Sequence, residues 1–197
     1  MKIYLFRHGQ TYYNRDKIFT GWKDSQLTPL GIIQAKGLAQ KLKSVRFTVA
    51  YQSRLNRSKE TLKEVLDFHP ECKTVITDDR MIERSYGKLS GQQHTTIIKK
   101  YGQAKFDVWH RGYDVRPPGG ESFADVYKRV SEFAKEMLAK IRKEKINVAI
   151  SAHGNSIRIF RKVVEHTPVA EVVKWQIPYD KVFEYTVTDD TITLQII

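Results

Sequence analysis

The chain has 197 residues, with 34 Lys plus Arg against 22 Asp plus Glu, a formal charge of +12 at pH 7, and 41% hydrophobic residues. That fills one sizeable core, leaves too little length for two, and excludes a mainly disordered chain. No apolar run approaches the ~18 residues of a membrane span, residues 3–6 are too short for a secretory leader, and the single cysteine, Cys72, excludes an internal disulfide or a cysteine-clustered zinc site, so a cytoplasmic protein is expected.

In chain order, residues 2–6 form an apolar, strand-forming run ending at the polar Arg7-His8-Gly9-Gln10, which reads as a buried strand. Thr28 before Pro29 supplies a helix cap and a first-turn proline, and Leu30, Ile33, Leu38 and Leu42 give an apolar stripe running to Ser44. The alternation continues with strand 47–51, helix 54–67, strand 73–77, helix 122–145, strand 147–151 and helix 154–165. Residues 182–186 and 191–196, separated by Asp189-Asp190, read as a closing antiparallel pair. Parallel strands need long crossovers, so this pattern predicts an α/β fold, a three-layer α/β/α sandwich whose mostly parallel sheet carries helices on both faces. Residues 80–120, rich in Gly and Pro turns, fit the repeat poorly and are expected to form a lid-like insertion within one domain spanning 1–197.

Ligands of open α/β sheets bind beyond the carboxyl ends of the strands, and two such ends carry a His-Gly pair, His8-Gly9 and His153-Gly154. Glycine after each histidine allows close backbone approach to an anion, and the helix starting at Gly154 would aim its N–H groups into the same crevice. A neutral imidazole is a competent nucleophile toward phosphorus, and Arg7, Arg57 and a protonated His153 would neutralise the transferring group without a metal. Glu83, between Arg80 and Arg84, is the candidate proton donor, although taken alone a surface ion pair is the commoner role for such a residue. His69 and His166 lack this context and read as structural, and Cys72 as a packing residue. The positive charge admits nucleic acid, an anionic membrane or a small acidic substrate. Lysines spread along helices, without a basic run or aromatic interleaving, favour the last and argue against nucleic-acid or membrane partners.

Arg7-His8-Gly9 resembles the signature of the histidine phosphatase superfamily, with His153 as the second histidine. Phe19-Thr20-Gly21-Trp22, Glu83-Arg84 with Tyr86-Gly87, Trp109 with Arg111-Gly112, Pro117-Pro118 before Gly120-Glu121-Ser122, and Ala152-His153-Gly154-Asn155-Ser156 with Arg158 resemble the cofactor-dependent phosphoglycerate mutases, from Arg7 to Ile177-Pro178. The resemblance implies a phosphoglycerate mutase-like fold and interconversion of 3-phosphoglycerate and 2-phosphoglycerate, in glycolysis and gluconeogenesis. It implies a phosphohistidine at His8, primed by 2,3-bisphosphoglycerate, with no metal. It further implies that Arg7, Arg57 and His153 hold the phosphoryl group, that Glu83 is the acid/base, that Asn14, Thr20, Gly21, Gly154 and Asn155 line the phosphate site, and that Tyr86 and Arg111 meet the rest of the substrate. Family members occur as monomers, dimers and tetramers, so a homo-oligomer is compatible.

Two departures stand out. Where the family usually has a lysine after the YG-x-L-x-G segment this chain has His94, and where the family pairs arginines after the tryptophan it has His110 before Arg111. Both positions fall where the substrate's carboxylate or second phosphate is gripped, and imidazole does not replace a bidentate arginine. Affinity for 3-phosphoglycerate is therefore expected to weaken as His94 and His110 deprotonate. The alternatives are a phosphomonoester phosphatase on the same scaffold and, from another class, a non-catalytic binder of acidic partners, which would show no dependence on His8.

Overall fold

The computed structural model describes all 197 residues, Met1–Ile197. Strand β1 (Lys2–Arg7) is buried on both sides at Ile3, Tyr4, Leu5 and Phe6, as a strand covered on both faces must be. It leads through the one-turn helix α1 (Tyr12–Arg15) to α2 (Pro29–Leu42), β2 (Val49–Gln52), α3 (Asn56–Leu66) and β3 (Thr74–Thr77). Then follow α4 (His94–Tyr101), α5 (Gln103–Arg111), the long α6 (Phe123–Glu144), β4 (Val148–Ala152), α7 (Gly154–Glu165), the short α8 (Val169–Val172), β5 (Val182–Val187) and β6 (Ile192–Ile196). No helix is long and apolar enough to cross a membrane.

The strands form one sheet in the order β3-β2-β4-β1-β5-β6. The first four run parallel, and β5 and β6 close the sheet antiparallel. Side chains alternate across it. Ile3 and Leu5 of β1 join Val148 and Ile150 of β4 against Phe133 of α6 and Ile157 and Phe160 of α7. Tyr4, Phe6 and Ala149 point the other way, onto Leu38 and Leu42 of α2 and Leu62 and Val65 of α3. This is the expected three-layer, mostly parallel architecture. Because Arg7 lies opposite Ala152 in the β1–β4 register, residues 8 and 153 leave the sheet side by side at its carboxyl edge.

Helix α2 starts as expected, with Thr28 Oγ1 accepting from Gly31 N at 3.0 Å and Pro29 in the first turn. Its buried face is not the expected stripe. Gly31, Ala35, Leu38, Ala39 and Leu42 are buried, whereas Leu30 and Ile33 are 49% and 65% exposed. The cause is backbone-to-backbone approach: a Cβ on Gly31 would lie 2.0 Å from the Gln10 carbonyl oxygen, and one on Gly9 would lie 2.2 Å from that of Gly31. Gly31→Ala is expected to destabilise the protein by about 1–3 kcal/mol, the usual cost of overpacking. Gly37→Ala, at an exposed position of the same helix with open space around it, is expected to stabilise by about 0.5–1 kcal/mol. Equilibrium unfolding measures both; equal effects would mean that the first turn of α2 moves aside without cost.

Residues 80–120 are more regular than their turn residues suggest. They hold α4 and α5, separated by Gly102 at φ 84°, above a small core of Phe19, Tyr86, Leu89, Ile97, Phe106 and Trp109. Helix α4 buries only Ile97, and α5 only Phe106 and Trp109, too few apolar positions for a visible period. The one-turn helices α1 and α8 likewise fall below what periodicity detects.

Candidate active site

Two adjacent parallel strands deliver the two histidines. His8 N donates to the Ala152 carbonyl at 3.0 Å, and the His8 and His153 rings lie 5.0 Å apart, both buried. His8 Nδ1 is 2.7 Å from the Gly9 carbonyl oxygen, which only accepts, so Nδ1 carries the proton and Nε2 presents its lone pair. Burial, reinforced by the charges of Arg57 and Arg7, holds the His8 pKa well below the ordinary imidazole range. His8 is thus neutral at pH 7, the form a nucleophile needs.

His153 stands behind it, with Nε2 2.7 Å from Ser53 Oγ and Nδ1 buried without a partner. Burial, then Arg57, His8 and Arg7, also hold this imidazole neutral, which corrects the expectation of a protonated His153. Two arginines beside a buried imidazole leave no room for a further positive charge until an anion arrives.

The arginines are pinned by backbone carbonyls. Arg7 Nη1 donates to Ile177 O at 2.8 Å, with its guanidinium 4.0 Å over the Tyr179 ring. Arg57, the first-turn residue of α3, donates to Lys23 O at 2.9 Å and Gly21 O at 2.8 Å, and burial lowers its pKa to about 10, still charged at pH 7. Each arginine keeps a buried Nε with no protein partner. Unpaired buried nitrogens are costly, and Arg7, Arg57 and His153, all of which bear on one another or on His8, carry three of them, which suits the oxygens of a phosphoryl group.

Glu83 is buried beside them. Its Oε1 accepts from Arg84 N at 2.7 Å and from Asn155 N, in the first turn of α7, at 3.1 Å, and its side chain lines the cavity. That N–H of α7 therefore serves the carboxylate rather than an anion. Nor is Gly154 sterically required: a Cβ there would make ordinary contacts, 3.5 Å from Arg7 Cζ and 3.6 Å from Arg158 Nη1, so of the two glycines only Gly9 has no room for a side chain. Arg84 is wholly buried and donates through Nη2 to the carbonyls of Trp109 and His110, both at 3.0 Å, tying the end of α5 to the Glu83 segment.

Arg7, His8, Arg57 and Glu83 line a cavity of about 670 Å³, together with Asn14, Thr20, Gly21, Tyr86, Gly154 and Asn155, and His153 packs against His8 with ring centroids 5.0 Å apart. Asn14 spends its Oδ1 on Thr11, at 3.1 Å from Thr11 N, as a cap of α1. Asn155 Nδ2 donates to the Tyr86 hydroxyl at 3.2 Å, and its Oδ1 accepts from Arg158 Nη1 at 2.8 Å. Arg158 and Arg111 extend the cationic lining from Arg7, whose charge bears on both. Burial lowers both pKa values, that of Arg158 to about 9, without removing the charge at pH 7. Arg158 lines the cavity one helical turn after Gly154, a spacing that identifies it on α7; the wall segment 176–179 carries no such signal, and the grip of Arg7 on Ile177 O and of Arg158 on Trp175 O, at 2.7 Å, brings it in. His69 lies elsewhere, stacked on Phe47 with centroids 4.2 Å apart and its Nδ1 on Glu71 at 3.0 Å.

His94 and His110 also line the cavity, 5.2 Å apart and both packed on Phe19 and Phe106. Burial, with Lys17 and Arg111 beside His94 and Arg111 beside His110, pushes their pKa values down to about 4 and about 3. Both are neutral above pH 5, which overturns the expectation that they lose charge near neutrality. Corrected for the substrate phosphate's own ionisation near pH ~6, KM for a phosphorylated acid is expected to stay flat from about pH 5.5 to 8, and to fall only as the imidazoles protonate below about 4. A KM that rises across the neutral range would mean that bound substrate recharges them.

Residues 3–197 match the model of the histidine phosphatase superfamily (branch 1). A 2,3-bisphosphoglycerate-dependent phosphoglycerate mutase of Rhizobium etli is 43% identical over 83% of this chain and 79% of its own. One from a Chelativorans species is 36% identical over 96% and 93%. Among solved structures, a putative α-ribazole-5′-phosphate phosphatase of Escherichia coli superposes with a TM-score of 0.86 over 100% of this chain and 96% of its own, at 21% identity, a likeness of fold alone.

Proposed function

The chain belongs to the histidine phosphatase superfamily, and from this premise we propose that it is a 2,3-bisphosphoglycerate-dependent phosphoglycerate mutase working through a phosphohistidine at His8. The observation that carries the reading is the run of four arginines, Arg57, Arg7, Arg158 and Arg111, along one cavity. Arg57 and Arg7 are the charges that bear on His8, and Arg158 and Arg111 continue the cationic lining from Arg7, with Asn155 linking Arg158 to the Glu83 carboxylate. A phosphomonoester hydrolase needs only the arginines beside His8; a substrate with phosphate at one end and carboxylate or a second phosphate at the other uses the whole run.

The chemistry follows from the placement of the groups. His8 Nε2, its proton fixed on Nδ1, attacks phosphorus in line, while Arg7, Arg57 and the unpaired His153 nitrogen take the developing charge on the equatorial oxygens. Glu83, held at Oε1 by two backbone N–H groups, offers its other oxygen to the substrate. As the Nε2–P bond breaks and an O–P bond forms at the accepting hydroxyl, Glu83 takes the hydroxyl proton. When His8 is rephosphorylated from the neighbouring oxygen, Glu83 returns that proton to the leaving oxygen, and His8 and Glu83 end as they began. 2,3-Bisphosphoglycerate, when bound, supplies the phosphoryl group that first primes His8, and the unpaired nitrogens of Arg7 and Arg57, with Arg158 and Arg111 continuing the lining, suit its two anionic ends. Helices α4 and α5 roof the cavity and serve as the lid that keeps water from the phosphohistidine.

A coupled assay of 3-phosphoglycerate to 2-phosphoglycerate conversion, with and without added bisphosphate and with released phosphate followed in the same samples, tests the reading. Isomerisation stimulated by the bisphosphate with little phosphate release is expected. Phosphate release without isomerisation would make the chain a phosphatase, the reading favoured by the imidazoles at positions 94 and 110.

A further inference from the structure

Beside the neutral His94–His110 pair stands one lysine that the phosphoryl chemistry does not use. Lys17 is exposed and lines the cavity. Its backbone is left-handed, with φ 52°, because it closes α1 in a Schellman cap: Ile18 N donates to Tyr13 O at 2.8 Å and Lys17 N to Asn14 O at 3.4 Å. That position suits glycine or asparagine best, so the local fold supplies no reason for a lysine. Neither does pairing. Arg15, two residues before, is paired with Asp16, whereas Lys17 enters no ion pair. The loop is nevertheless held in place, since Lys17 O accepts from His94 N at 2.9 Å and Ile18 bridges to Gln93. Lys17 and Arg111 thus flank the imidazole pair, and the charge of each bears on His94.

We propose that Lys17 is a specificity-determining residue that grips the second anionic group of the substrate, in place of the lysine absent at position 94. The identity of that substrate as a phosphoglycerate rests on the mutase reading; the preference for a second anion rests on Lys17 itself.

Calorimetric titration of the wild type, Lys17→Asn and Lys17→Arg with 3-phosphoglycerate and, separately, with inorganic phosphate tests this. Asparagine removes the charge and tolerates the left-handed backbone; arginine keeps the charge. The preference for 3-phosphoglycerate over phosphate is expected to fall about 10- to 100-fold in Lys17→Asn, the range for one charge-assisted hydrogen bond, and to stay within about threefold of wild type in Lys17→Arg. An unchanged preference in Lys17→Asn, or an equal fall in both variants, would overturn the proposal. Failure of the mutase reading shows separately, as phosphate release without isomerisation by the wild type, while the binding preference still reports on Lys17.

Discussion

Replacing His8 by alanine is expected to lower turnover by at least about 10⁴-fold and to remove the phosphoenzyme seen by intact-mass measurement, because no other group in the cavity presents a free imidazole lone pair toward the two arginines. His153 does not substitute, because its Nε2 is engaged by Ser53 Oγ at 2.7 Å. The variant's fold is expected to survive, since the His8 side chain contributes one hydrogen bond, to the adjacent Gly9 carbonyl, and β1 keeps its pairing to β4 and β5. Circular dichroism checks that point. Turnover persisting in a folded His8→Ala protein would remove His8 as the nucleophile.

Glu83→Gln is the second large effect. Glutamine keeps a carbonyl oxygen where Oε1 accepts from Arg84 N and Asn155 N, so the turn holding it stays in place. The remaining position becomes an amide that donates and cannot take a proton. A drop in kcat of about 10²- to 10⁴-fold with little change in KM is expected, the usual contribution of proton transfer. Stopped-flow measurement of phosphoryl transfer separates the step from product release, and an effect confined to KM would make Glu83 a binding residue instead.

The sheet was legible because its strands are short apolar runs, such as 3–6, that stop at charged or polar residues, and because the two His-Gly pairs mark neighbouring strand ends. The sheet-facing side of α2 was legible at Leu38 and Leu42 but not in its first turn. Apolarity pointed to Leu30 and Ile33, but the contact is between the backbones of Gly9, Gln10 and Gly31, which only the folded geometry reveals. Protonation was misjudged for one physical reason at His94, His110 and His153: sequence shows the residue type, while burial among arginines decides its charge. The resemblance reaches Ile177-Pro178 and includes Arg84, but what these residues hold was not legible, because main-chain carbonyls, which carry no residue code, make those contacts.

The Arg84 anchor bears on how such a site diversifies. Arg84 holds the end of α5 only through the main-chain oxygens of residues 109 and 110, while its own N–H steadies the Glu83 carboxylate. Side chains of α4 and α5 outside the small core of Ile97, Phe106 and Trp109 are therefore free to be exchanged without loosening the group that moves the proton. On this framework a lineage acquires new substrates by repainting the ceiling, and the catalytic floor is inherited unaltered.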